Sequence, residues 1–284
     1  MTARPRRSAL YMPASNGRAI DKARSLACDV VILDLEDAVA PEAKAEARPQ
    51  ACEALAAGGF GRRELVIRVN GLSTPWGEAD LAAAAAAEPD AILVPKIDGP
   101  ADLCAYDRAL KGKTRLWAMM ETCAAVFALD ALAGAGGRLE ALVVGSNDLA
   151  KEMRCRPGIE RLPLAAALSL TVAAARAHGL AVLDGVHNEI GDAEGFARQC
   201  AQGADFGFDG KTLIHPSQVD PANAAFTPDP EEVTWARVVA EAFDSPENAG
   251  KGVLRVDGRM VELLHLDQAR RLIAVAEAIA RDPS

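Results

Sequence analysis

A chain of 284 residues with a net charge of −9, 31 Lys and Arg against 40 Asp and Glu, has no clustered basic stretch beyond Arg4, Arg6 and Arg7, which argues against a nucleic-acid or anionic-membrane surface. Half of the residues are hydrophobic and only 4% aromatic, so the core must be aliphatic and alanine-rich, within one large α/β domain or two smaller ones. The six cysteines (28, 52, 104, 123, 155 and 200) are scattered without a CxxC, Pro13 stops the N-terminal apolar run, and no segment approaches the ~18 apolar residues of a membrane span, so a cytoplasmic chain with reduced thiols is expected.

In chain order, Ser8 to Met12 reads as a short strand ended by Pro13, and Ser15-Asn16 caps a helix from Gly17 to Leu26. Asp29 to Glu36 (DVVILDLE) is a β-branched run ending in the acids Asp34, Glu36 and Asp37, and Pro41 opens a helix that lasts to Gly58-Gly59. Glu64 to Asn70 is a third strand with Arg68 near its end, followed by a helix through Ala82 to Ala87. Ala91 to Ile97 is a fourth strand ending around Lys96, with its helix opened by Pro100. Leu116 to Met120 and Leu139 to Val144 are the fifth and sixth strands, joined by a helix from Thr122 to Leu132. An irregular insert, KEMRCRPGIERLP, precedes a helix from Leu164 to His178. Leu180 to Val186 is a seventh strand carrying Asp184, a helix runs from Asp192 to Gln202, and the eighth strand lies within FGFDGKTLI.

Eight strand–helix alternations at ~30-residue spacing predict a (β/α)₈ TIM barrel over residues 1–225. Residues 226–284 form an extension: helices at Pro228 to Ala242 and His265 to Arg281 joined by the glycine-rich ribbon GKGVLRVDGRM, a lid or an oligomer arm. Few apolar anchors in that ribbon predict a mobile segment.

Polar residues collect on one side of the pattern. Glu36, Arg68, Lys96, Glu121, Asp148, Asp184 and Lys211 all fall at or just past C-terminal strand ends, the catalytic face of a barrel. Glu121 and Asp148 end adjacent parallel strands, which leaves two readings open: each caps the helix that follows, or both hold a hard cation, since Mg²⁺ typically takes one or two carboxylates plus substrate oxygens. Lys96 raises the further possibility of an imine-forming aldolase. Of the four histidines, His178 and His265 read as helix-end or surface residues, His187 lies near the mouth, and His215 suits a structural hydrogen bond; none is assigned to a metal.

Taken together, RSALYMP, VVILDLEDAV, VIRVNG, LVPKI, METCAAV, VVGSNDLA, DGKTLIHPSQ and DGRMVE resemble the citrate lyase β-subunit-like family, which includes the malyl-CoA and citramalyl-CoA lyases, along essentially the whole chain. The resemblance implies a Mg²⁺-dependent carbon–carbon lyase acting on CoA thioesters of hydroxydicarboxylic acids and yielding an acetyl-CoA-type thioester and a 2-oxo acid. It implies Glu121 and Asp148 as metal ligands, Arg68 on the substrate oxygens, and Glu36 and Asp37 supporting metal waters and the arginine. Arg18 and Lys22 become candidates for the CoA phosphates, and a homo-oligomer, a trimer or a multiple of it, is implied. The chain departs from the family at Ala14, where glycine is common, and at Glu262, which stands where the lyases carry an acid/base aspartate contributed by a neighbouring subunit. The second departure leaves open a malyl-CoA thioesterase, in which water attacks the thioester. A non-catalytic subunit of a larger complex is the remaining alternative.

Overall fold

A computed structural model describes residues 4–281. Eight parallel strands close into a barrel in sequence order: β1 (Ser8–Pro13), β2 (Val30–Asp34), β3 (Glu64–Arg68), β4 (Ala91–Val94), β5 (Arg115–Met120), β6 (Leu139–Val144), β7 (Ala181–Asp184) and β8 (Gly210–Leu213), with β8 pairing back onto β1. Period-two alternation sorts each strand between two cores. Ala9, Tyr11, Val30, Ile32, Val66, Leu93, Trp117, Met119 and Val143 fill the barrel, while Leu10, Val31, Leu33, Ile67, Ile92, Leu142 and Val182 meet the surrounding helices. At the N-terminal end Arg6 closes the interior: its guanidinium lies 5.2 Å from the Trp117 ring and pairs with Glu64 at 2.7 Å and Glu140 at 3.1 Å.

The helices are α1 (Gly17–Ala23), α2 (Lys44–Ala57), α3 (Gly77–Ala87), α4 (Pro100–Ala109), α5 (Cys123–Phe127), α6 (Leu129–Ala133), α7 (Ser146–Glu152), α8 (Ala165–Ala177), α9 (Ala193–Phe206) and α10 (Val219–Ala225), then α11 (Pro230–Asp244) and α12 (Leu263–Ala280). None among the described residues is long and apolar enough to cross a membrane. Two local expectations change. The single helix expected over 122–132 is two, because Ala128 (φ −105°, ψ 8°) ends α5 and begins α6. The second strand stops at Asp34 rather than Glu36: the Asp34 carboxylate accepts the amides of Glu36 at 2.9 Å and Ala38 at 3.0 Å and turns the chain out of the sheet.

The chain divides into two compact units, Arg6–Phe226 and a second comprising Thr227 onward with residues 4 and 5. In the second unit β9 (Val253–Val256) and β10 (Arg259–Glu262) form an antiparallel hairpin over α11 and α12. Asp257 and Gly258 both have positive φ, the geometry of a tight primed turn. Contrary to the expectation of few anchors, the ribbon is well held: Leu254, Val256 and Val261 are buried with Ala236, Val239 and Ala269.

Candidate active site

Arg68 is built into the barrel mouth by the inward face of β3. Its Nε and Nη2 donate to the two Asp34 oxygens at 2.7 and 2.6 Å, a two-pronged fork between neighbouring strands in register. Nη1 pairs with Glu36 at 2.8 Å and Asp37 at 3.4 Å, and the guanidinium lies 4.6 Å from the Tyr11 ring centroid. Burial opposes the charge, but Asp34 beside it holds the Arg68 pKa well above its ordinary value. Burial drives Glu36 up to about 7 despite Arg68. It also drives the Tyr11 phenol up, so that ring stays neutral.

Across the mouth, Glu121 at the end of β5 is almost wholly buried, and burial raises its pKa against the pull of Lys96. Its Oε1 accepts the Lys96 amide at 2.8 Å and faces the Lys96 ammonium at 3.4 Å. The same ammonium is hydrogen-bonded to Asp148 and lies 3.7 Å from Glu36. Burial lowers the Lys96 pKa, yet Glu121, Asp148 and Glu36 outweigh it and raise the group above its ordinary value. Three carboxylates thus engage Lys96 as an ammonium, which does not favour the imine-forming reading. Pro95 explains why β4 ends early: it has no amide for the ladder, and Lys96 then turns to φ +53°.

Neither acid caps its helix. Thr122 caps α5 by accepting the Ala125 amide at 3.0 Å, and no side chain caps α7. Gly145 is required beside Glu121: a Cβ there would lie 2.4 Å from the Glu121 Cβ and Oε2.

Asp34, Asp37, Arg68, Glu121 and Asp148 line a cavity of about 250 Å³ together with Ser146, Asn147, Asn188 and Thr212. Asn147 and Asn188 join the rims of β6 and β7 by reciprocal amide hydrogen bonds of 3.1 and 2.8 Å. The mouth thus carries two cations, Arg68 and Lys96, against five carboxylates, Asp34, Glu36, Asp37, Glu121 and Asp148. That excess of negative charge suits a further cation. Among the described residues no three Asp, Glu, His or Cys side chains are placed to hold a metal ion, so a cation on Glu121 and Asp148 would complete its shell with substrate and water oxygens.

Two residues expected at the mouth, Asp184 and Lys211, are not there. Asp184 and Lys211 share the outward face of β7 and β8 with Val182 and Leu213, and are fully buried beneath the helices. Asp184 pairs with Lys211 at 2.7 Å and Arg161 at 2.6 Å, which against burial keep its pKa low, while burial keeps that of Lys211 low. Arg18 and Lys22 are exposed on α1 and do not line the cavity. Glu262 ends β10 in the second unit, where its amide donates to His265 Nδ1 at 2.9 Å. His215 caps the turn before α10 by accepting the Ser217 amide at 3.2 Å. Asp34, the principal partner of Arg68, was given no role by sequence reasoning, although its parity with Val30 and Ile32 points it inward.

The sequence profile of the HpcH/HpaI aldolase/citrate lyase family matches residues 7–216. The chain belongs to that family. It is 50% identical over 278 residues to a (3S)-malyl-CoA thioesterase of Cereibacter sphaeroides, covering 98% of this chain and 97% of that one. It is 34% identical over 307 residues to the L-malyl-CoA/β-methylmalyl-CoA lyase of the same species, covering 98% and 96%. Among solved structures it resembles the protein CitE of Mycobacterium tuberculosis, crystallised with magnesium, acetoacetate and coenzyme A, with a TM-score of 0.78 and 28% identity over 97% of this chain and 98% of that one. These likenesses overturn the expectation of a carbon–carbon lyase as the enzyme class. The relatives sharing half of the residues along nearly the whole chain are named as thioesterases, which are hydrolases, and the lyases stand farther off.

Proposed function

We propose that this chain hydrolyses the CoA thioester of a hydroxydicarboxylic acid of the malyl-CoA type, releasing the free acid and coenzyme A. The observation that carries the proposal is the 50% identity with a malyl-CoA thioesterase along essentially the full length of both chains. In the reaction water oxygen bonds to the thioester carbonyl carbon, the carbon–sulfur bond breaks, and the departing thiolate takes a proton. A divalent cation such as Mg²⁺, for which Glu121 and Asp148 are the candidate ligands, would polarise the substrate oxygens as a Lewis acid when bound.

The chain's own groups supply the rest. Arg68 presents a permanent positive charge to the oxygen on which charge develops, and an arginine cannot lose that charge by deprotonation. Asp34, Glu36 and Asp37 fix the guanidinium, so no reorganisation is needed when the oxyanion forms. Tyr11 and Met119 form the apolar floor under it. Glu262 is the proposed proton-transfer group, delivered from a neighbouring copy in a trimer or a multiple of it; its place in the ribbon motif supports this. Arg18 and Lys22, four residues apart on α1 and therefore on one face, are the proposed phosphate contacts for coenzyme A.

Product analysis with malyl-CoA and Mg²⁺ tests the reading. Stoichiometric malate and free thiol are expected; glyoxylate with acetyl-CoA in place of them refutes it.

A further inference from the structure

The point shared by Glu121 and Asp148 already contains a cation belonging to the chain. The Lys96 ammonium is hydrogen-bonded to Asp148, stands 3.4 Å from Glu121 Oε1 and 3.7 Å from Glu36 Oε1, and so sits among the same oxygens that a divalent ion would use. Glu121 cannot retreat from it, whereas Asp148 is 30% exposed. The Glu121 side chain is 2% exposed and its Oε1 is fixed by the Lys96 amide, whereas the Lys96 side chain is 43% exposed, with solvent on one side of it. The backbone points the same way. Lys96 holds φ +53°, a conformation that glycine adopts more cheaply and that costs other residues about 1 kcal/mol. The Glu121–amide hydrogen bond would survive a glycine there, so the side chain is what the strained position adds.

An ammonium and a divalent ion repel and cannot occupy one set of carboxylate oxygens. We propose that Lys96 is an internal competitor for the metal: its ammonium neutralises Glu121 and Asp148 in the cation-free enzyme and must leave when a divalent ion enters. It is thus a positioning residue that sets the cation affinity. The inference rests on the reading of Glu121 and Asp148 as ligands. It gives two acids on adjacent strand ends, one almost fully buried, a counter-charge from the chain itself. It also makes the cation-free site a closed ion-paired state rather than a repelling one.

Titration calorimetry with MgCl₂ tests this on the whole chain, without reference to turnover. Lys96→Met is expected to bind Mg²⁺ at least about tenfold more tightly than wild type, because no competing charge has to be displaced. Its melting temperature in EDTA should fall below that of wild type, and its rise on adding Mg²⁺ should be the larger. Lys96→Arg, which keeps the charge, should stay near wild type. Equal or weaker Mg²⁺ affinity in Lys96→Met overturns the proposal, since Lys96 would then be supporting the ligands rather than competing with the ion. Lys96→Gln replaces Lys96→Met under the same criterion if the latter does not fold. Glu121→Gln separates the two layers. If it abolishes binding while Lys96→Met fails to tighten it, only the competitor role falls; if it leaves binding unchanged, the ligand assignment and this proposal fall together.

Discussion

Asp34→Ala is the sharpest test of how the mouth is held together. The substitution removes both partners of the Arg68 fork, at 2.7 and 2.6 Å, and also the acceptor for the Glu36 and Ala38 amides. Removing one member of a buried ion pair costs about 3–5 kcal/mol, because the survivor's charge is left uncompensated. Glu36 and Asp37 still face the Arg68 Nη1, which places the expected loss toward the lower part of that range. At roughly 2 °C per kcal/mol for a chain of this size, the melting temperature should drop by about 6–8 °C. Turnover should fall about 10²-fold, since an unheld guanidinium loses its aim at the reacting oxygen. Circular-dichroism melts of Asp34→Ala, Arg68→Met and the double variant read the coupling directly. The double variant should be much less destabilised than the sum of the singles, because the orphaned charge has gone. A shift of less than about 2 °C in Asp34→Ala, or strict additivity in the cycle, would show that the pair contributes little and that Arg68 is positioned by other means.

Other outcomes follow from the same geometry. Glu121→Ala and Asp148→Ala should each abolish Mg²⁺ binding in calorimetry and turnover alike, since one carboxylate holds a hard cation poorly; unchanged affinity in both would refute the ligand assignment. Gly145→Ala should lower the melting temperature and weaken Mg²⁺ binding in calorimetry, because the new Cβ would stand 2.4 Å from both Glu121 Cβ and Oε2 and displace the strand end together with its carboxylate. Glu262→Gln should lower kcat without lowering Mg²⁺ affinity, and mixing it with Glu121→Ala subunits should restore some activity; no recovery after demonstrated subunit exchange would exclude a role in the neighbour's site. Burial pushes the thiols of Cys28 and Cys200 up to about 11, so iodoacetamide at pH 8 should label the exposed Cys104 and spare those two, as peptide mass spectrometry will show.

The barrel was legible because strand and helix alternate with β-branched runs and Pro or Gly punctuation, and the Glu121–Asp148 pair because consecutive parallel strands share an edge. What end-of-strand position alone does not convey is the face. Asp184 and Lys211 lie at strand ends as Arg68 does, yet counting in twos from Val182 and Leu213 puts them under the helices, while the same count from Ile32 turns Asp34 inward. Contacts that depend on tertiary geometry left no local mark: the fork of Arg68 onto Asp34, the Asn147–Asn188 bridge, and the left-handed turn at Lys96 that gives its amide to Glu121. The break at Ala128 falls inside an alanine-rich stretch with no glycine or proline to announce it. The ribbon looked unanchored because its glycines hide an alternation of Leu254, Val256 and Val261 that becomes visible only when the hairpin is formed.

The buried trio of Asp184, Arg161 and Lys211 bears on the order in which the barrel is born. A nascent chain that has released only seven strands carries Asp184 and Arg161 without the ammonium that completes them, and the edge of β7 is still wet. Driving that carboxylate under α9 at such a stage would leave its Oδ2 without a cationic partner in an apolar layer, Arg161 holding only Oδ1, so the last quarter of the wall should stay open on the ribosome. Emergence of β8 delivers Lys211 and the second edge of β1 in one stroke, because the residue that pairs the remaining oxygen of Asp184 also stands opposite Ser8. The electrostatic latch and the seam of the cylinder therefore fasten together, and premature closure of a seven-stranded fragment is disfavoured by the sequence itself.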